Sequence, residues 1–300
     1  MQSVYGCIDI DHPMVAWNAY RGVLVSAQAG NEYPKCPISV MLAGMLKNRN
    51  SPRLCNELAV ERVRQLRYPS QVSRLVGMYF FEDQSGFEAA KEWGGHFSSD
   101  YQAELGLLPE ATVSRHDANW ITYAPFDSAG FLKSAHWADP YWSGEPFPNR
   151  APIWELIVDG RAAVYGTELR ERAYAIIKAE FPECLTVLEL GRISALLGSD
   201  LGQISSWLTQ ATEGEFSLNY NIDMKDAQNS KFLEKVRNYD GPKNYADLAV
   251  GGDKFSVPDL RSFGESFHIN EQFSSQFLAG VHANKIQPEA QSGAQLRCAD

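Results

Sequence analysis

The sequence predicts an α+β fold, and three observations lead to this class. Short runs rich in β-branched and aromatic residues, such as "LVGMYFF" and "IWELIV", predict buried strands. Segments with apolar residues three to four positions apart predict helices between those strands. From about residue 167 onward the helical pattern predominates. We therefore expect an α+β domain over 1–166, a mainly helical extension over 167–280 and a loose polar tail over 281–300.

The composition is that of a globular protein, with 44% hydrophobic and 21% charged residues in a chain of 300. A net charge of −10 argues against a broad basic surface for nucleic acid, although a local positive groove is compatible with it. The start of the chain lacks the basic and apolar segments of a signal peptide. No apolar run approaches the ~20 residues of a membrane span.

Cysteine and histidine usage bears on the compartment and on metal binding. The five cysteines have wide, irregular spacings, which favours free thiols in a reducing cytoplasm over a disulfide framework. The six histidines are equally dispersed, with no pair at the spacing of metal ligands. We therefore expect a cytoplasmic protein without a structural metal.

The first half of the chain alternates predicted strands and helices. "MQSVYGCIDI" predicts the first strand, and "SRLVGMYFFED" predicts a buried one. Between them, "CPISVMLAGMLKNRN" and "PRLCNELAVERVRQLR" predict helices, the second with a charged outer face. "SGFEAAKEWGG" predicts a short helix with Ser85 as N-cap. A loop-and-strand region over 96–126 precedes a helical pattern in "SAGFLKSAHWADPYW".

The second half has mainly helical patterns. "TELRERAYAIIKAEF" predicts a helix capped by Thr167, and "LTVLELGRISALLGSDLGQISSWLTQ" is also helical. "KFLEKVRNYD" and "FGESFHINEQFSSQFLAG" predict shorter helices. Within the second segment, residues 193–208 have the spacing of a helix-turn-helix with Gly198 at the turn. Its second helix contains no Lys or Arg, which favours a packing hairpin over DNA binding.

A single carboxylate, Glu155, interrupts the apolar run "IWELIVDGRAAVYG". Alternation along a strand puts Glu155 on the same face as Ile153 and Ile157, so this is not an ordinary solvated face. The following Asp159-Gly160 pair fits a tight hairpin turn into "RAAVYG". Such a carboxylate either lines a cleft or reaches water near a strand end, and the pattern leaves both open.

Four short motifs occur in order over residues 1–166: "RQLRYPSQVSRLVGMYFFED", "RHDANWITY", "HWADPYWSGE" and "PIWELIVDGRAAV". Together they resemble a bacterial family within the ADP-ribosyltransferase superfamily, whose members carry Arg and Phe/Tyr-Pro ahead of Ser-Arg, then Asp-x-Asn-Trp, Tyr-Trp-x-Gly and Trp-Glu. The ordered set is moderately specific, whereas no single motif is. The resemblance implies a split mixed β-sheet core.

The resemblance also implies a chemistry. Such enzymes cleave the nicotinamide–ribose bond of NAD and pass ADP-ribose to an acceptor. Glu155 would be the catalytic carboxylate, stabilising the oxocarbenium-like transition state and orienting the acceptor. Ser73 would contact the ribose and Arg74 the diphosphate, while Tyr141 and Trp142 would stack on nicotinamide or recognise the acceptor.

The first strand departs from the family. Related members begin it with an aromatic residue followed by His, whereas this chain has "VYGCIDID". Tyr5, Cys7 or Asp9 would have to substitute, and we assign Tyr5 to the NAD site. His12 is too far along the chain to occupy the same strand position without a bulge.

Structural alternatives stand beside these assignments. Arg74 is equally compatible with capping carbonyls in a loop, and Tyr141 and Trp142 with plugging a sheet edge.

Other polar residues have simpler interpretations. Arg64 and Arg67 are interpreted as a solvated helix face, and Glu145 as an exposed rival carboxylate. Asp117 and Asn119 are expected to pin a loop through backbone hydrogen bonds.

The leading hypothesis is a cytoplasmic mono-ADP-ribosyltransferase acting on RNA, DNA or protein. Some relatives are toxins in phage defence or toxin–antitoxin systems, so the helical extension would shape the acceptor site or dock an antitoxin or chaperone. Two rivals remain: a catalytically inactive interaction protein on the same fold, and a DNA-associated regulator acting through residues 193–208.

Overall fold

The computed structural model describes residues 2–27, 35–48, 51–94, 97–212, 214–242 and 256–268, and it confirms the α+β class. Within these ranges, no helix combines the length and apolar character needed to cross a membrane. The helices are α1 Pro13–Arg21, α2 Val40–Lys47, α3 Ser51–Arg67, α4 Gln84–Ala90, α5 Asn119–Thr122, α6 Ala138–Ser143, α7 Thr167–Glu180, α8 Leu185–Leu196 and α9 Ser230–Arg237.

The strands form a seven-stranded and a four-stranded sheet. The first has the order β2-β8-β5-β1-β4-β7-β6 and the second β11-β10-β9-β3. Every pairing between the described strands is antiparallel, where a mixed sheet had been expected. The strands are β1 Gln2–Cys7, β2 Val23–Val25, β3 Lys35–Ile38, β4 Met78–Phe81, β5 Gln102–Leu107, β6 Thr112–Asp117, β7 Trp154–Asp159, β8 Arg161–Val164, β9 Ile204–Thr212, β10 Glu215–Ile222 and β11 Glu265–His268.

Strands β7 and β8 follow each other directly but do not pair, so the predicted hairpin was wrong. Strand β7 pairs with β4 and β6, while β8 pairs with β2 and β5. The β5–β6 segment therefore pairs with the β7–β8 segment twice: β5 pairs with β8, and β6 pairs with β7. The two pairings lie on either side of a bend in the chain. Because β1 also pairs with β4 and β5, hydrogen bonding runs in a closed cycle through β1, β4, β7–β8 and β5–β6.

Gly160 makes the bend between β7 and β8 possible. Its φ is 142°, a conformation that side chains rarely allow, and a Cβ there would lie 2.7 Å from the Cα of Ala111. Ser26 fixes the bend because its hydroxyl donates to Asp159 Oδ1 at 2.6 Å and accepts from the Gly160 N–H at 2.9 Å. The Asp159-Gly160 pair thus bends the chain, so that β7 lies in one half of the sheet and β8 in the other.

The larger sheet has helices on both faces. Trp17 of α1, Leu169 of α7 and Leu188 of α8 pack with Leu156 of β7 on one face. On the other face, Ile157 of β7 packs with residues of α3 and α6. Since adjacent strand residues point to opposite faces, Glu155 lies on the side covered by α3 and α6.

The segment 204–212 is strand β9, so its helical prediction was wrong. Ile204, Ser206 and Leu208 are buried in alternation, and β9 pairs with β10 and β3. The alternation of buried residues in β9 was difficult to recognise in the sequence, because the apolar stretch before it has helical spacing and does form helix α8. The helix-turn-helix over 193–208 therefore lacks its second helix, which removes the basis of the DNA-regulator reading.

Other predictions for the second half were confirmed in part. Helices α7 and α9 occupy the predicted segments, but three strands also lie between 167 and 280, so this extension is not mainly helical. In "FGESFHINEQFSSQFLAG" the described part is a 3₁₀ turn and strand β11. Residues 269–300, including the predicted tail, lie outside the described residues.

Local details of the helices also differ from the prediction. The N-cap of α4 is Asp83, which accepts from the Gly86 N–H at 2.8 Å, while the predicted cap Ser85 donates its hydroxyl to Asp83. Helix α7 begins at Thr167 itself, with Gly166 as N-cap. In the "SAGFLKSAHWADPYW" segment only α6 is helical.

Substitution of Gly160 tests the bend. We expect Gly160→Ala to lower the free energy of unfolding by about 3 kcal/mol, because backbone strain and the clash with Ala111 add together. Gly198→Ala is the control: φ is also positive, at +80°, but nothing lies within 4 Å, so we expect a loss of about 1 kcal/mol. Urea unfolding measures both, and equal losses would contradict the importance of the close approach.

Candidate active site

Glu155 takes part in a buried ionic cluster with Arg74 and Tyr141. The Nη1 group of Arg74 donates to Glu155 Oε1 at 2.9 Å and to the Tyr141 hydroxyl at 2.8 Å. The Tyr141 hydroxyl in turn donates to the same Glu155 Oε1 at 2.8 Å. These bonds join β7, α6 and the loop between α3 and β4, so three separate elements fix the position of one carboxylate.

The other edge of Arg74 binds Glu57 of α3. Nε donates to Glu57 Oε2 at 2.8 Å and Nη2 donates to Oε1 at 3.1 Å, a bidentate arrangement that fixes the plane of the guanidinium. Tyr79 lies with its ring 4.8 Å from the guanidinium carbon and donates its hydroxyl to the Arg74 carbonyl. One cation is thus held between two carboxylates, and this group of charges sums to −1.

A second ion pair on α3 adjoins the cluster. Arg64 donates from Nε and Nη2 to Glu61, and Ser73 donates its hydroxyl to Glu61 Oε2 at 2.9 Å. Arg64 is only 5% exposed, so its assignment to a solvated helix face was wrong. The same assignment is confirmed for Arg67, whose side chain is 61% exposed and pairs with Asp139.

Helix periodicity explains how α3 supplies these groups. Glu57, Glu61 and Arg64 lie at i, i+4 and i+7, so they share one face of the helix. Glu57 and Glu61 were not predicted as site residues, since the charges of this helix were interpreted as an outer face. Their helical spacing beside buried Val60 was the available signal.

Glu155 is anchored by one oxygen only. Both of its hydrogen bonds go to Oε1, and within the described ranges nothing donates to Oε2. The side chain keeps 11% of its exposure, so the group is not completely enclosed. A carboxylate held in this way presents its second oxygen in a fixed direction.

The protonation states follow from burial and from the charges nearby. Burial raises the pKa of Glu155 above its ordinary value, although Arg74 and the Tyr141 hydroxyl oppose the rise. Burial alone would lower the pKa of Arg74, but Glu57 and the surrounding groups hold it well above its ordinary value, so the guanidinium stays charged. Burial raises the pKa of Tyr141, which therefore remains a neutral hydrogen-bond donor.

A cavity of about 500 Å³ lies beside the cluster, between α3 and the loop that precedes α6. Glu57 and Arg74 line this cavity, whereas Glu155 lies behind Arg74 and does not. The lining is otherwise mainly apolar and aromatic, with one further arginine, Arg53. It comprises Pro52, Arg53, Asn56, Glu57, Val60, Arg74, Ile121, Phe126, Ala129, Gly130, Leu132 and Trp137.

His116 is a further member of the site that was not predicted from the sequence. It is the residue of β6 directly paired with Glu155, and its ring lies 4.6 Å from that of Tyr141. Nδ1 donates to the Tyr141 carbonyl at 2.8 Å. Burial lowers the pKa of His116 to about 4, so the imidazole is neutral near pH 7.

Two of the predicted NAD-binding residues lie apart from the cluster. Tyr5 pairs with Phe81, which in turn pairs with Glu155, so a full strand separates Tyr5 from the carboxylate. Trp142 is completely buried and donates its indole N–H to the Val60 carbonyl at 3.0 Å. Its ring is therefore a core element and is not placed for stacking on a ligand.

The predicted loop anchor is confirmed. Asp117 Oδ1 accepts from the backbone N–H groups of Asn119 at 3.0 Å and Ile153 at 3.1 Å, and Oδ2 accepts from that of Phe147 at 2.7 Å. These bonds fix the loop that leads into β7. The rival carboxylate Glu145 is exposed, as predicted.

Residues 30–173 match a family model described as a protein of unknown function (DUF2441). The matched region is a little under half of the chain, and it contains all the residues of the ionic cluster and His116. None of the curated proteins matches the chain.

Removal of the central cation tests the cluster. We expect Arg74→Leu to destabilise the protein by about 3–5 kcal/mol, because Glu57 and Glu155 would remain buried without their partner. The exposed pair with Asp139 offers the control, and Arg67→Leu should cost less than about 1 kcal/mol. Urea unfolding distinguishes the two; a loss at Arg74 no larger than that at Arg67 would show that the cluster does not stabilise the fold.

Acidification tests His116. The unfolded side chain takes up a proton near pH 6.5, whereas the folded one does so only near pH 4, so stability is full above 6.5 and falls between these values. Between pH 7 and pH 5 the loss from this residue should be about 2 kcal/mol. His116→Gln should lack this part of the pH dependence, while the exposed His136→Gln control should keep it. An unchanged pH dependence of unfolding in His116→Gln would refute the assignment.

Proposed function

We propose that this chain is an NAD-dependent mono-ADP-ribosyltransferase. The proposal depends on one observation: Glu155 is anchored through Oε1 by Arg74 and Tyr141 while Oε2 takes no hydrogen bond within the described residues. A carboxylate with a fixed direction and weakened hydration stabilises a developing positive charge more effectively than a freely solvated one. The family resemblance supplies the identity of the reaction.

The reaction proceeds by substitution at C1′ of the nicotinamide ribose. The bond from C1′ to the pyridinium nitrogen breaks, and its electron pair leaves with neutral nicotinamide. In this proposal the ribose extends out of the cavity to the side of Glu155 that Arg74 does not cover, so that Oε2 faces C1′ as positive charge develops there. A lone pair of the acceptor then forms the new bond to C1′, and the acceptor's proton passes to Glu155 or to water, which the raised pKa of Glu155 favours.

The contacts change the role of Arg74. Its guanidinium is committed to Glu57, Glu155 and Tyr141, so it positions the catalytic carboxylate. We assign the diphosphate contact to Arg53, an exposed residue that also lines the cavity. The cavity volume of about 500 Å³ lies in the range typical of small-molecule sites.

The fold and the surface are compatible with this proposal. The bend at Gly160 divides the larger sheet into two halves, which is what a split-sheet core requires. Phe126 is exposed at the cavity and offers a surface on which a macromolecular acceptor can stack. The acceptor class stays open among RNA, DNA and protein.

Transfer of label from NAD tests the proposal. Wild-type protein, Glu155→Gln and the matched control Glu145→Gln are incubated with cell lysate and NAD labelled in its adenylate part. We expect label on a macromolecule with the wild type and the control, and at least a 100-fold lower rate with Glu155→Gln, roughly the effect of removing one transition-state contact. Glutamine keeps the shape of the side chain, and urea unfolding checks that the variant is folded.

Nuclease and protease treatment of the product identifies the acceptor class. If NAD is neither bound nor consumed by the wild type, the transferase proposal fails and a non-catalytic interaction protein becomes the better reading. Equal rates for Glu155→Gln and Glu145→Gln would likewise exclude Glu155 as the catalytic residue.

A further inference from the structure

A surface segment, residues 125–133, forms one wall of the cavity, and we call it the flap. The cavity is lined on this side by Phe126, Ala129, Gly130 and Leu132, while α3 forms the wall opposite. Seven of the nine flap residues are exposed, and the other two, Gly130 and Leu132, are half-buried. The flap therefore bounds the cavity without contributing a fully buried residue to the core.

The flap is folded by its own hydrogen bonds. Asp127 Oδ1 accepts from the backbone N–H groups of Ala129 and Phe131, both at 2.9 Å. The Asp127 N–H donates to the Phe131 carbonyl at 2.8 Å. At the base, the Lys133 N–H donates to the Pro125 carbonyl at 2.9 Å. Because these bonds lie within the segment, the flap can change its position without losing them.

Asn56 of α3 makes the polar contacts that join the flap to the opposite wall. Its Nδ2 group donates to the Gly130 carbonyl at 2.9 Å, and its Oδ1 accepts from the Leu132 N–H at 2.9 Å. Among the residues that the structure describes, no other group outside the flap forms a hydrogen bond with it. The polar attachment of the flap thus depends on one amide side chain.

Apolar contacts add little to this attachment. Leu132 packs against the buried cluster that contains Val60 and Trp137. Phe126 and Phe131 each keep 39% of their exposure, so neither ring is anchored in the core. Two hydrogen bonds together shift an equilibrium by roughly 5- to 150-fold. Loss of the Asn56 bonds is therefore expected to change the position of the flap measurably.

We propose that the flap opens and closes over the cavity as a unit, and that Asn56 is the residue that holds it closed. When Asn56 releases the flap, Asp127 keeps it folded, and a small molecule can pass between the flap and α3. The inference concerns access to the cavity and does not depend on the transfer reaction.

Modification of a thiol inside the cavity measures the opening. Val60 lines the cavity and is 3% exposed, so Val60→Cys introduces a thiol on the wall that α3 forms. The reagent is methyl methanethiosulfonate, which is small and uncharged, and peptide mass spectrometry separates this thiol from the native cysteines. We expect addition of Asn56→Leu to raise the rate of modification at least about tenfold. The control Asn221→Leu, at an exposed asparagine of β10, should leave the rate unchanged.

Hydrogen exchange shows whether the flap stays folded when it is released. In Asn56→Leu, the N–H groups of Ala129 and Phe131 should exchange at their wild-type rates, because their bonds to Asp127 persist. Faster exchange of both groups would show that the segment unfolds, and it would overturn movement as a unit. An unchanged rate of thiol modification would overturn the role of Asn56.

A disulfide between the two walls gives the reverse test. A Cβ at Gly130 would lie 3.5 Å from the Cβ of Pro52, a separation that a disulfide can span. The double variant Pro52→Cys, Gly130→Cys is compared in its oxidised and reduced forms, so any strain from a side chain at Gly130 is common to both. We expect the Leu132 N–H to exchange at least about tenfold more slowly in the oxidised form. Equal rates in the two forms would show that the flap does not open, whether or not the protein transfers label from NAD.

Discussion

The arrangement of the site depends on one buried guanidinium held between two carboxylates. Burial of a charged side chain is costly unless every charged group has close partners, and Arg74 has them on both edges. Because Glu57 lies on α3, Tyr141 on α6 and Glu155 on β7, these elements can pack together only if their charged groups meet with correct geometry. Polar bonds therefore define the relative position of helix and sheet more sharply than apolar packing alone.

The strand geometry has an equally direct effect on Glu155. The bend at Gly160 lets the β7–β8 segment contribute to both halves of the sheet without a long connection. Strand β7 consequently lies between β4 and β6, with a paired strand on each side of Glu155. His116 and Phe81, the two residues paired with Glu155, belong to these neighbouring strands and fix its surroundings.

Local patterns were enough to find many elements and part of the site. The strands around Tyr5, Tyr79 and Glu155 and the helix α3 follow from short-range periodicity, and Glu155 stood out because its neighbours are apolar. The partners of a strand depend on distant segments, so Asp159-Gly160 could not reveal that the two strands beside it pair with other strands and not with each other. Glu57 was missed for a related reason, since only the packed structure shows which face of α3 is buried.

The excess carboxylate is difficult to explain by stability. A single Arg–Glu pair would satisfy Arg74 with no residual charge, and replacement of buried ionic groups by apolar residues is often neutral or stabilising. The protein instead retains Glu155 behind Arg74 and leaves one of its oxygens without a hydrogen bond among the described residues. Residues that lower stability in this way concentrate where a ligand or a transition state supplies the missing interaction. A positive charge that develops beside Glu155 Oε2 would be such an interaction, and the proposed transfer reaction is one that would supply it.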